Sequence, residues 1–135
     1  MATFLAKTEP SEYSIDDLLA DDITTWSGVR NPTAVRAIKS MQPGDRLLIY
    51  HSGNDPAIVG EGQIVTDPEP DQNDRLSWIV AVRFLHKFER TVSLKEIKES
   101  GYFDDWALVR QGRLSTMAVP EHFLVWFWER LREES

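Results

Sequence analysis

The sequence predicts an α+β fold, a small mixed barrel of mostly short strands with helices packed around it. Strand-like runs at residues 3–7, 46–51, 57–66 and 77–88 are each closed by turn residues. Capped helical segments interleave with them, beginning with one N-terminal helical crossover, which favours this architecture over a doubly wound sheet. The chain has 135 residues, 41% hydrophobic and 10% aromatic, without repeats, low-complexity tracts or linkers, so one domain over 1–135 is expected.

Thr3 to Lys7 alternates weakly and reads as a strand ending in the polar cluster Lys7-Thr8-Glu9-Pro10. Ser14 followed by Asp17 resembles a capping box, which predicts a short helix over Ile15 to Ala20. A turn-rich segment follows. Asn31 before Pro32 is an N-cap and N1 pair, and Val35, Ile38 and Met41 recur at helical spacing, so a helix is expected over Pro32 to Met41. Gln42-Pro43-Gly44-Asp45 ends it. Arg46 to His51 follows as a strand covered on both faces.

Ala57 to Thr66 is the next strand, with Gly60 and Gly62 on one face, where bare backbone admits a helix, a sheet bend or a ligand. Asp67 to Asp74, with two prolines and four acids, has the composition of a mobile surface loop or lid. Ser77 to Phe88 reads as a long strand with Trp78, Val80, Val82 and Phe84 along one face. Ser93 caps a helix through Glu99 that Gly101 stops, and a further helical turn is expected within Asp104 to Val109. Pro120 opens the last element, where Leu124, Phe127, Trp128 and Leu131 form a stripe that suits the core.

Composition excludes several kinds of chemistry. No apolar run approaches the ~20 residues of a membrane-spanning helix, and MATFLAKTEP lacks the features of a signal peptide, so a cytoplasmic protein without a membrane partner is expected. With no cysteine there is no disulfide, no thiolate nucleophile and no Cys-based metal site. His51, His86 and His122 stand 35 or more residues apart, so neither a metal nor a cofactor is expected. Gly60-Glu61-Gly62 lies inside a strand pattern rather than opening a helix, unlike a phosphate loop. A net charge of −7 argues against a sequence-blind DNA coat. The charge is uneven, however: Glu9 to Asp22 holds six acids and no base, whereas Arg30 to Arg46 holds four bases against Asp45 alone.

Two segments carry recognition chemistry. Trp26-Ser27-Gly28-Val29-Arg30-Asn31-Pro32 sets an aromatic, a hydroxyl, a guanidinium and a cap directly before a helix, where unpaired N–H groups suit an anion or a base edge. Tyr50-His51-Ser52 places polar groups at the end of an apolar strand, the position of a pocket mouth. Each segment also has an ordinary structural reading: Trp26 in the core, Asn31 as a cap, His51 bonded to backbone.

Taken in order, Lys7-Thr8-Glu9-Pro10, Trp26 to Asn31, Met41 with Gly44-Asp45, Tyr50-His51-Ser52, Ile58-Val59-Gly60 and Arg113-Leu114-Ser115 resemble the EVE domain family. That family belongs to the PUA-like superfamily and includes the thymocyte nuclear protein group. The resemblance runs from Phe4 to the final helix. It implies a pseudo-barrel of about five or six mostly antiparallel strands, and a pocket related to that of YTH domains and of domains that read modified cytosines. On that reading the partner is a modified or flipped base in DNA or RNA. Trp26 is the stacking plane, and Ser27, Asn31, Tyr50, His51 and Ser52 line the pocket. Lys7, Glu9, Arg30, Arg113 and Ser115 contact phosphate or the base edge. For a second aromatic wall, Tyr50 and Trp78 are the candidates, Trp78 mainly as core. Ser27, Pro32 and Asp67-Pro68-Glu69 depart from the family's usual residues at those places.

Two other functions compete with this binding module, of which no catalysis is expected. Related folds of the ASCH type suggest a hydrolase acting on an acylated nucleobase through Lys7, Thr8 and Glu9, although Lys7 and Glu9 share a strand face and suit a plain ion pair. A basic protein partner would suit the acidic helix and the acidic 67–74 loop, leaving the pocket vestigial.

Overall fold

The computed structural model describes residues 1–133. The strands are β1 (Thr3–Thr8), β2 (Ile23–Trp26), β3 (Arg46–His51), β4 (Ala57–Ile64), β5 (Glu69–Pro70), β6 (Trp78–Ser93) and β7 (Thr116–Ala118). The helices are α1 (Ile15–Asp21), α2 (Pro32–Lys39), α3 (Leu94–Ser100), α4 (Ala107–Arg110) and α5 (Glu121–Glu133). The sheet order is β2-β6-β4-β3-β1-β7, with β5 pairing β6 off that path. Every pair is antiparallel except β1 with β3. That parallel pair requires a crossover, and α1, β2 and α2 supply it.

The sheet does not stay flat. Its register shifts at Ile58/Gly60 and Glu61/Gly62 where β4 meets β6, and at Ile49/Tyr50 where β3 meets β4. Such bulges bend a strand and increase its twist. A Cβ on Gly60 would run into the Ile15 side chain and lie 2.7 Å from the His86 carbonyl oxygen. One on Gly62 would lie 2.6 Å from Val82 Cγ1. The glycine pair therefore lets α1 lie on the sheet while the sheet bends beneath it. Both faces of the sheet are covered: in β3, Leu47 and Ile49 point to one face and Leu48 and Tyr50 to the other, and all four are buried. A second apolar group, Phe103, Trp106, Phe123 and Phe127, joins α5 to the segment before α4, with Phe103 and Phe123 rings 5.0 Å apart.

Several elements differ from the sequence reading. Residues 23–26 form β2 rather than part of a turn-rich segment, because β-branched Ile23, Thr24 and Thr25 find a partner in β6, which no local pattern announces. β7 was not expected either; its three residues are held by pairing with β1. Residues 69–70, expected within a loop, pair with Ile79 and Trp78. β6 continues five residues past Phe88 because Val92 and Ser93 pair with Ile58 and Ala57. β4 stops at Ile64, where the Gly44 N–H and the Asp45 carbonyl take over the Ile64 backbone groups at 2.8 Å each. α2 ends two residues early, at Lys39. On α5 the most buried face is Phe123, Trp126 and Phe127, while Leu124, Trp128 and Leu131 flank it half-buried. The caps read from sequence at Ser14, Asn31 and Ser93 all form, and Gly101 ends α3 at φ +74°.

Gly60→Ala should destabilise the fold by about 1–3 kcal/mol through overpacking. Gly112→Ala, where an added Cβ meets nothing within 4 Å, should stay within about 0.5 kcal/mol of wild type. Denaturant unfolding of both variants checks this; equal stabilities would show that the close packing of α1 on β4 is not needed.

Candidate functional site

The parallel register of β1 and β3 sets Lys7 beside Tyr50 and Thr8 beside His51. The two polar strand ends singled out in the sequence are thus neighbours. The Ser52 N–H donates to the Thr8 carbonyl (2.9 Å), and the Ser52 hydroxyl lies 3.3 Å from that carbonyl and 3.5 Å from Glu9 Oε2. On the other side of β1, the Lys7 N–H donates to the Ser115 carbonyl at 2.8 Å.

The turn after β1 is locked to α1. Glu12 and Tyr13 N–H groups donate to the Glu9 carbonyl at 2.9 Å each, and the Thr8 hydroxyl donates to the Tyr13 carbonyl at 2.8 Å. Ser14 and Asp17 close a reciprocal capping box. His51 Nε2 accepts the Ile15 N–H at 3.0 Å, satisfying another donor of the helix start and fixing the ring proton on Nδ1. Tyr13 Oη donates to Asp21 Oδ2 at 2.8 Å, so its ring is held at both ends.

Opposite this turn, β2 delivers Trp26. β2 and β1 are separated by β6, β4 and β3 in the sheet order. Residues 24–30 nevertheless face Lys7, Thr8 and Glu9 across one cleft of about 420 Å³, so the curled sheet brings its two sides together. The Tyr13 and Trp26 rings stand edge to face, centroids 6.3 Å apart at 89°, giving the cleft two aromatic walls at a right angle. Ser115, Ser27 and the buried Val29 complete the lining with Thr24, Thr25 and Glu12.

Two cations and two carboxylates line this cleft, so it is not an anion trap. The Lys7 ammonium donates to the Gly112 carbonyl at 2.9 Å and lies 5.5 Å from the centre of the Tyr50 ring. Burial holds its pKa below the usual lysine value. It keeps two donor protons for a guest. Glu9 Oε1 accepts from the Ser11 N–H (3.4 Å) and hydroxyl (3.2 Å), which holds the carboxylate of this cleft-lining residue in place. Arg30 is paired with Asp74 at 3.1 Å and is largely exposed.

Of the residues singled out in the sequence, the fold gathers Lys7, Glu9, Trp26, Ser27, Arg30 and Ser115 around the cleft. It does not bring the others there. Asn31 Oδ1 accepts from Thr33 and Ala34 N–H groups, so its carbonyl is spent as a helix cap. Tyr50 is 3% exposed, and burial pushes its hydroxyl pKa up to about 12. His51 and Ser52 act as ties behind the wall, and Arg113 does not line the cleft. The second aromatic wall is Tyr13, neither Tyr50 nor Trp78. A signal for Tyr13 was present: it precedes the capping box, in the position of a hydrophobic staple. The Lys7–Glu9 ion pair expected from their shared strand face is not formed, because Lys7 donates to Gly112 instead. The Thr8 hydroxyl, likewise, gives its proton to Tyr13 rather than standing ready as a nucleophile.

Burial lowers the His51 pKa, with Asp16 and Glu9 opposing and Lys87 adding to it. The bond to Ile15 needs the neutral ring. The unfolded ring therefore takes up its proton first, and the His51 contribution, complete above pH 6.5, is lost as pH falls through the lower folded value. Thermal unfolding followed from neutral to mildly acidic pH should show a shallower decline in His51→Gln than in wild type; identical slopes would remove His51 as a source of the pH dependence.

The EVE domain model matches residues 2–130. Rat thymocyte nuclear protein 1 is 32% identical over 70% of this chain and 54% of its own length. The chain spans about half the length of the curated relatives it matches. Among solved structures, a protein of Pseudomonas syringae superposes with a TM-score of 0.89 at 28% identity, covering 96% of this chain and 99% of that one. The human THYN1 protein in complex with 5-methylcytosine-containing DNA superposes with a TM-score of 0.87 at 23% identity, covering 97% and 98%, a likeness of fold. The sheet with its surrounding helices is the fold these proteins share, and the chain belongs to the EVE domain family.

Proposed function

We propose that this protein is a binding module for a modified or flipped nucleobase in DNA or RNA, held in the cleft between Trp26 and Lys7. The observation that carries this reading is the pair of aromatic walls at a right angle beside an ammonium and a carboxylate. A base taken out of its stack needs a new plane to lie on and new partners for its edge. The Trp26 face supplies the plane, a contribution of about 1–3 kcal/mol per base. Glu9 accepts from an exocyclic amine, as acidic side chains do from cytosine N4, and Lys7 donates to a ring nitrogen or carbonyl oxygen. That pattern suits cytosine or adenine, whose pairing edges place an amine next to an acceptor. A small added alkyl group finds apolar surface on Val29 and the Tyr13 ring, where one methylene is worth only ~1–3 kcal/mol of discrimination. The DNA complex of the human relative supports the same reading and makes 5-methylcytosine the first base to test.

Trp26→Ala should weaken binding of the preferred modified oligonucleotide about 10- to 100-fold, in line with the loss of one stacked base, while Trp26→Phe retains most of it. Calorimetric titration with cytosine and 5-methylcytosine strands, in DNA and RNA form, reads both. Equal affinity of the alanine variant and wild type would remove Trp26 from the site.

A further inference from the structure

A second cavity of about 350 Å³ adjoins the first, with Arg30 lining both. Its cationic lining is Arg30, Arg36, Lys39 and Arg75, and its apolar lining includes Trp78 and Leu76. No carboxylate lines it. On a chain of net charge −7 such a place needs an explanation. α2 contains no acidic residue, and its Arg36 and Lys39 stand one turn apart. The loop before β6 contributes Arg75 and Leu76 from the other side.

That loop is shaped by its own acids. Asp71 Oδ1 accepts the Asn73 N–H at 2.9 Å, and Asp74 Oδ1 accepts the Leu76 N–H at 3.0 Å while Asp74 Oδ2 pairs with Arg30. Asp67 and Glu69 line a different cavity, with Thr25 and Ala81. Of the loop's four acids none lines this groove, and only Asp74 touches its lining, through Arg30. Among the described residues, Arg36, Lys39 and Arg75 have no carboxylate within 4 Å. The Lys39 ammonium lies 4.7 Å from the centre of the Trp78 ring, and Leu76 is 58% exposed. Cations interleaved with exposed apolar and aromatic surface suit a phosphodiester strand with its sugars and bases.

We infer that this groove holds the phosphates of the nucleotides flanking the base bound beside Trp26, so that the protein grips a stretch of single strand rather than an isolated base. The inference rests on the base-binding reading for what enters the first cleft, but the groove itself makes a separate prediction. Each neutralised phosphate of a single strand contributes about 0.7 to the slope of log affinity against log salt concentration. Arg36→Gln, Lys39→Gln and Arg75→Gln together should lower that slope by about 2 and weaken strand binding at low salt by about ten-fold or more. All three side chains belong to exposed residues, so the fold survives the change.

The experiment titrates wild type, this triple variant and a charge-matched control over a range of salt. The control is Lys95→Gln, Lys98→Gln and Arg110→Gln, residues that line neither cavity. Each protein is tested with an unmodified strand, the matching 5-methylcytosine strand and free 5-methylcytidine, the strands in DNA and RNA form. A lower slope in the groove variant alone, with nucleoside affinity unchanged, is the expected result. An unchanged slope, an equal drop in the control, or no strand binding by wild type overturns the groove. Loss of preference for the modified strand in wild type, with the slope effect intact, instead overturns the base-binding reading and leaves the groove standing.

Discussion

The close seat of α1 on β4 is the contact on which the rest of the molecule depends. Ile15 lies where a side chain at Gly60 would have to be, and the register of β4 slips at that glycine and again at Gly62. Backbone without a Cβ does two things at once there. It admits the helix to within van der Waals distance of the sheet, and it tolerates the bulges that curl the sheet. Were the sheet flat, β2 and β1 would stand with three strands between them, and Trp26 and Lys7 would have nothing in common.

From that curl the cleft follows in steps. α1 starts where His51, at the end of β3, accepts its first N–H, so the helix is tied to the sheet at the point where β1 and β3 end together. Tyr13, directly before the helix, is then held by the Thr8 hydroxyl behind it and by Asp21 at its ring oxygen. A tyrosine fixed at both ends is a wall rather than a flap. The residues that form this scaffold are themselves polar, and their hydrogen-bonding capacity is largely spent on it, which is why His51, Ser52 and Asn31 shape the cleft without lining it.

Charge is distributed with the same economy. The molecule is acidic overall, yet several of its acids are used in local structure, Asp17 in the capping box of α1 and Asp71 and Asp74 in the turns before β6. The cations of α2 and Arg75 gather instead on one groove beside the cleft. A net charge describes the whole surface and says little about one face of it.

Much of the local structure was legible in the sequence. The caps at Ser14, Asn31 and Ser93, the glycine stop at Gly101 and the main strands β1, β3, β4 and β6 follow from residue chemistry acting over a few positions, and so could be read without a fold. The family resemblance carried by the ordered motifs was legible too. What only the tertiary structure decided is which residues meet. β2 and β7 exist because a distant strand completes their hydrogen bonds, and nothing in Ile23 to Trp26 or Thr116 to Ala118 says which strand that is. Tyr13 rather than Tyr50 faces Trp26 because a parallel register buries Tyr50 in the sheet while the capping turn lifts Tyr13 onto the cleft. A sequence pattern specifies what a residue offers its near neighbours, whereas a binding site is made by side chains that the chain brings together from afar.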